Sequence, residues 1–179
     1  EGGFESGWAK ACKALIEQLV ETSEVVDDKT LVLLPHVSLQ PIEVEKIKDF
    51  IEGFGFNVLA VPDLSSSLDG HLGEKQAALS SGGISVDEIR SLGEAGLVIS
   101  VGDSMQGCAA ALQNKSLEMR NYHFAHLNGL EATDSLVELL LAETGFTLPP
   151  AGVARWRRRL QDAMLDSHFA LGQTRFLVA

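Results

Sequence analysis

Two short runs of the chain, Lys29-Thr30-Leu31-Val32-Leu33-Leu34-Pro35 and Leu97-Val98-Ile99-Ser100-Val101, are apolar at consecutive positions rather than at alternate ones. A strand with one wet face alternates, so such runs predict strands buried on both faces. Further strands are predicted over 57–61 and 122–125. Between them the apolar residues change to a helical period. Phe4, Trp8, Cys12, Leu15, Ile16 and Leu19 stripe one helix over 4–20, and Ile47, Phe50, Ile51 and Phe54 stripe another, which Pro41 opens and Gly53 and Gly55 end. Ser85-Val86-Asp87-Glu88 has the spacing of a capping box. Later helices carry Cys108, Ala111 and Leu112, then Leu130, Leu136, Val137, Leu140 and Leu141 up to Gly145, and finally Val153, Trp156, Leu160, Ala163 and Met164 facing inward after Pro149-Pro150. Strand and helix alternating in this way predict an α/β fold: an open, mainly parallel sheet of four to five strands with helices on both faces, Rossmann-like.

The fifth strand is the apolar end Thr174-Arg175-Phe176-Leu177-Val178-Ala179, after the turn at Gly172. A strand there has no neighbours of its own. The other end, Glu1-Gly2-Gly3-Phe4, has no initiator Met and runs almost at once into a helix. Both ends are expected to be cuts in a longer polypeptide, and 179 residues suffice for one complete core.

Composition removes several function classes. A net charge of -11 and a pI near 4.8 disfavour nucleic acid, whose binding needs clustered Lys and Arg to release counterions. No apolar run approaches the roughly 18 residues of a membrane span, and no signal-peptide pattern opens the chain, so the expected setting is cytoplasmic. Cys12 and Cys108, two cysteines far apart, suit free thiols in a reducing compartment.

Ligands of such sheets bind beyond the carboxyl ends of the strands. Neither GxGxxG nor GxxxxGK[ST] occurs, which removes the usual phosphate cradles. The loops at that end bring forward His36, His71, Ser104 and His126 as rim candidates. His123 and His126 straddle a strand end and have no third ligand at a useful spacing, so isolated histidines are expected rather than a metal site. Cys12 reads as a small core residue. Cys108, early in a helix, has a dipole in favour of a thiolate, but Gly107, Ala109, Ala110 and Ala111 around it favour tight packing. Segment 62–83, rich in Ser and Gly, is long for a compact domain; Ser65, Ser66, Ser67, Asp69 and His71 in it do not have the rigid geometry of a catalytic triad. Arg155-Trp156-Arg157-Arg158-Arg159 reads as a paired, solvated helix face, with Asp162 one turn on from Arg158, or as a subunit contact.

In collinear order, GGFESGWAKA, LLPHVSLQPIEVEKIKDFIEGFGF, VPDLSSSLDGH, SSGGISVDEIRSLG, LNGLEATDSL and LQDAMLDSHFALGQTRFLVA resemble the nitrogenase component 1 family, on the side of its β-type cofactor-assembly scaffold subunits. SLDGH, GLEATD and DAMLDSHF carry most of the specificity. The resemblance implies three α/β domains, of which residues 1–170 are the middle one and 171–179 the first strand of the next. It implies nitrogen fixation, a structural role in assembling the iron-molybdenum cofactor and no catalysis by this piece. Its implied partners are an α-type scaffold subunit in a heterotetramer, the nitrogenase reductase and cofactor-assembly proteins. In α-type relatives the strand equivalent to 97–101 ends in a cofactor-binding Cys followed by two residues and Ser-Met. Here Val101-Gly102-Asp103-Ser104-Met105 keeps the tail and puts Val101 at the thiolate position. The resemblance therefore implies no catalytic, cofactor-binding or metal residue in this stretch, with iron-sulfur clusters and the cofactor precursor confined to the whole heterotetramer. The alternatives are the middle domain of a catalytic nitrogenase β subunit or of a protochlorophyllide reductase subunit, and a Rossmann-like small-ligand-binding enzyme domain. An apolar patch on the first and last helices, with a non-native homodimer through it, is also expected.

Overall fold

The computed structural model describes residues 3–64, 83–116, 118–172 and 174–175. In chain order the elements are α1 (Phe4–Leu19), β1 (Asp27–Leu34), α2 (Pro41–Glu52), β2 (Asn57–Ala60), α3 (Val86–Ser91) with a 3-10 turn at Leu92–Glu94, β3 (Ala95–Val101) with a second 3-10 turn at Asp103–Met105, α4 (Gln106–Gln113), β4 (Arg120–Phe124), α5 (Gly129–Thr144) and α6 (Ala151–Leu171). The four strands pair in parallel in the order β2-β1-β3-β4.

The central strands are sealed on both sides, as their unbroken apolar runs require. Every residue of β3 is buried, as are Leu31 to Leu34 of β1. Period-two alternation divides these side chains between two clusters. Val32, Leu34 and Val98 join Cys12, Ile16, Leu92, Met105, Cys108 and Leu112 under α1, α3 and α4. Leu31, Leu33, Leu97, Ile99 and Val101 join Val44, Ile51, Phe54, Leu136 and Leu140 under α2 and α5. At about 1.5–3 kcal/mol for each fully buried Leu or Ile, this double covering dominates the fold's stability.

Local chemistry sets the element ends. The Ser85 N–H donates to Glu88 Oε2 at 2.7 Å and the Glu88 N–H to Ser85 Oγ at 3.2 Å, the predicted capping box. Pro41 opens α2, and the Gln40 N–H is taken by Glu43 Oε2 at 2.8 Å. Both β3 and β4 begin two residues before their predicted starts. Gly96 lets β3 lie hard against the Asp27–Asp28 backbone, and Arg120 draws β4 back by binding Asp28 at 2.7 Å and Glu143 at 3.1 Å. Gly93 is likewise fixed by packing, because a Cβ there would stand 2.2 Å from the Glu21 carbonyl oxygen.

Two sequence expectations need correction. The last helix does not bury its stripe: α6 contains no buried residue, and Trp156 and Met164 are 61% and 51% exposed. By the time the chain reaches α6 the sheet face is closed by α2 and α5, so only the first turn reaches the core, through Val153. Arg157 then holds the helix to α5 by a forked pair with Asp134, at 3.0 and 2.6 Å. Arg155 and Arg159 lie over the Trp156 ring, and no Arg158 to Asp162 ion pair forms among the described residues. On α1 the buried stripe narrows to Cys12 and Ile16, leaving Phe4 and Leu15 exposed. Beyond Arg175 the predicted final strand lies outside the described residues, as do positions 65–82 of the predicted long loop.

Cys12 and Cys108 are buried where α1 meets α4, and Cys108 Sγ donates to the Ala9 carbonyl at 3.2 Å. Burial pushes the Cys12 thiol up to about 11 and also raises Cys108, so neither is a thiolate at neutral pH. Alkylation at pH 8 with mass-spectrometric mapping should leave both unlabelled in native protein and label both after denaturation; free-cysteine rates in the native state would contradict this packing. Ser85→Ala should lower stability by about 1 kcal/mol in urea titrations.

Candidate functional site

The chain leaves β1 for β2 on one side while β3 lies on the other, so the strand order reverses between β1 and β3. In open α/β sheets the crevice at that reversal, beyond the carboxyl ends, is where ligands bind. Here β1 runs out into Pro35-His36-Val37-Ser38 and β3 into Gly102-Asp103-Ser104.

The crevice is occupied by the protein's own side chain. Gly102 has φ of 90° and donates its N–H to the Phe124 carbonyl at 2.8 Å, extending the β3 to β4 ladder by one bond. Its α-carbon lies under the His36 ring so closely that a Cβ would be 2.4 Å from His36 Cδ2. Only glycine satisfies both the dihedral and the contact. The ring is held at both nitrogens. Nδ1 faces the Ser38 N–H at 3.1 Å and the Ser38 hydroxyl at 2.6 Å, and Nε2 is 3.0 Å from Glu5 Oε1. A backbone N–H only donates, so Nδ1 is the acceptor and the Nε2–H donates to the carboxylate. Glu5 belongs to the first turn of α1, so this contact ties that helix to the strand ends.

Glu5 is held below the ordinary carboxylate range, first by the hydrogen bond from His36 and then by the Ser104 hydroxyl; Asp103 pushes the other way. The Ser104 hydroxyl is buried beside that carboxylate and acts on its charge without a hydrogen bond of regular geometry.

A second chain of contacts lies next to the first. Ser100 and His123 are cross-strand partners in the β3 to β4 register. Ser100 Oγ is 3.0 Å from His123 Nδ1, and His123 Nε2 is 3.0 Å from Asp103 Oδ1, with the Gln106 amide also 3.0 Å away. Serine, histidine and aspartate in series suggest a hydrolytic triad, but Ser100 is fully buried and no substrate carbonyl reaches its oxygen. The arrangement satisfies a buried hydroxyl.

Of the residues predicted for the rim, His36 and Ser104 meet at Glu5. His126 lies beyond β4, exposed, with no hydrogen bond or ion pair to either among the described residues; His71 lies outside them. Glu5, Ser38, Ser100, Asp103 and Gln106 were not singled out, and His123, expected to be isolated, is instead in contact with Ser100, Asp103 and Gln106; the Glu5 and Ser100 partnerships depend on how α1 and the strands lie against one another. Val101 turns to the cluster under α2 and α5 and is 3% exposed.

The donor set of the described residues does not fit an iron-sulfur cluster. Val101 offers hydrocarbon, both cysteines are buried protonated thiols, and among the described residues no three His, Cys, Asp or Glu side chains converge as ligands. A second concavity of ≈ 980 Å³ lies between α2, α5 and α6, walled by Phe50, Val137, Val153, Trp156 and Leu160.

Because folding lowers the Glu5 pKa, its contribution to stability is complete above the unfolded carboxyl's pKa and is lost as pH falls through the lower, folded value. Wild type should therefore exceed Glu5→Gln in stability at pH 7, and the two should converge in acid. Denaturant titrations from pH 7 to pH 2 check this, and a gap that persists undiminished in acid would contradict it.

The family model for nitrogenase component 1 type oxidoreductases matches residues 1–179. The nitrogenase iron-molybdenum cofactor biosynthesis protein NifN of Mesorhizobium japonicum is 37% identical over 180 residues, covering 100% of this chain and 39% of that protein. The NifN of Rhizobium meliloti is 40% identical over 172 residues, covering 94% of this chain and 38% of its own length. The chain thus spans about two fifths of the length of these relatives. A solved nitrogenase structure, "Nitrogenase Cp1 at pH 6.5", superimposes with a TM-score of 0.84 at 23% identity over 95% of this chain and 36% of that one, which shows a shared fold. The open parallel sheet, its covering on both faces and the full-length match together place this chain in the nitrogenase component 1 type oxidoreductase family.

Proposed function

We propose that the chain is the middle α/β domain of a β-type scaffold subunit that supports assembly of the nitrogenase iron-molybdenum cofactor, with no catalysis of its own. The observation that carries this reading is the identity of 37% and 40% to proteins named for that biosynthesis, over 94% or more of the chain. The site chemistry supports it. Where α-type relatives resemble one another in offering a thiolate, this strand ends in Val101, which cannot ligate iron, and both cysteines serve packing. The precursor cluster is then cargo of the whole assembly, carried mainly by an α-type partner in a cytoplasmic heterotetramer that the nitrogenase reductase and assembly proteins visit.

In this reading residues 171–179 begin the following domain. The exposed stripe of α6, from Trp156 through Leu160 to Met164, meets another part of the assembly, since apolar side chains at that spacing have no cover within the described residues. Val101 and His36 contribute order at the strand ends.

The test is genetic and biochemical. In a nitrogen-fixing host, deletion of the gene should leave nitrogenase component 1 polypeptides present but without cofactor, and isolated iron-molybdenum cofactor added to the extract should restore activity. Fully loaded component 1 in the deletion strain would sink the proposal. Loss of a component 1 polypeptide, with no rescue by cofactor, would identify a catalytic β subunit instead.

A further inference from the structure

Helix α6 carries a coiled-coil seam that the described residues leave uncovered, since no residue of the helix is buried. Val153, Trp156, Leu160, Ala163, Ser167 and Ala170 recur at alternating spacings of three and four along it. The large members lie in the half near the core and the small ones in the outer half. Ala163 and Ser167 accordingly line a dent of ≈ 470 Å³, where the Ser167 hydroxyl is already satisfied by the Ala163 carbonyl at 2.7 Å. Turned antiparallel, this seam fits another like itself: Val153 meets Ala170, Trp156 meets Ser167 and Leu160 meets Ala163, a large residue against a small one in every layer. The same register sets Arg159 beside Asp166 of the other helix, on the flank of the seam. Neither residue has an ion pair among the described residues.

The groove at the base of α6 supplies the rest of the fit. One of its walls is α6, with Trp156 and Leu160, and the other is α2 and α5, with Phe50 and Val137. An occupant must therefore be apolar on two opposite sides. The outer half of α6 is such a segment: its seam faces one way, and Leu165 and Phe169, 60% and 77% exposed, lie roughly half a turn round the helix from it. Residues 163–171, with a 1.5 Å rise and a diameter of about 10 Å, fill about 1,000 Å³, which matches the ≈ 980 Å³ of the groove.

We propose that this chain pairs with a second copy of itself through α6, the two helices antiparallel, with the outer half of each lodged in the groove at the base of the other. The interface is isologous, so both the layers and the Arg159 to Asp166 contact are made twice. Arg157 stays on Asp134 and keeps each base in place. The pairing rests on the reading that the α6 stripe meets another part of an assembly, and it does not need the cofactor role.

The test uses the full-length protein, purified with the partners it holds in the cell, and sedimentation reads how many copies of the chain share a particle. Arg159→Glu sets carboxylates against each other at two places, and Asp166→Arg does the same with guanidiniums. Each should raise the concentration at which the copies half dissociate by about tenfold. The double variant, Arg159→Glu with Asp166→Arg, restores both pairs reversed and should return to within about threefold of wild type. Residues seven apart on one helix do not touch, so recovery reports contact between copies. Association unmoved by either single variant, no recovery in the double variant, or one copy per particle in wild type would overturn the pairing. So would amide exchange in α6 that is as slow in single-copy particles as in paired ones, because residues outside this stretch would then be covering the seam. Any of these results leaves the genetic test of the cofactor role to stand or fall by itself.

Discussion

Burial of β1 and β3 on both faces is the constraint from which the rest follows. With Leu31 to Leu34 and every residue of β3 removed from water, helices must cover the sheet on two sides. The chain meets that demand by sending α2 and α5 to one face and α1, α3 and α4 to the other. A parallel sheet wound in both directions has a point where the winding reverses, and there the covering is thinnest. The position of the rim is therefore a result of how the core is sealed.

What fills that thin point differs from the usual occupant of such folds. A backbone glycine and an imidazole meet at a distance that admits no other side chain, and a helix 31 positions earlier in the sequence secures the imidazole. Beside it, the buried Ser100 hydroxyl is neutralised by His123, whose other nitrogen turns to Asp103. Polar side chains of types found in hydrolytic sites are consumed here in satisfying one another. Their chemistry is spent on order.

Much of this was legible in the sequence because the signals were local. The unbroken apolar runs announced doubly covered strands, Ser85 and Glu88 announced a helix start, and the collinear motifs announced the family. The candidate site was legible only in part. His36 and Ser104 were visible as residues at strand ends, but Glu5 was not, since its partner depends on how α1 lies over the sheet. His123 required the register that sets it opposite Ser100. The α6 stripe was misread for a related reason: periodicity shows that a helix has an apolar face and says nothing of what lies against it.

The forked contact between Arg157 and Asp134 has a mechanical meaning. It sits near one end of a helix of 21 residues, with Val153 the only other side chain of that helix packed against the main core clusters. At 1.5 Å per residue that helix is about 31 Å long, so it projects like a beam clamped at its base. From Arg157 to Leu171 is about 21 Å, so a tilt of about 5° at the clamp carries the free end roughly 2 Å sideways. Two oxygen atoms on α5 thereby set the aim of α6.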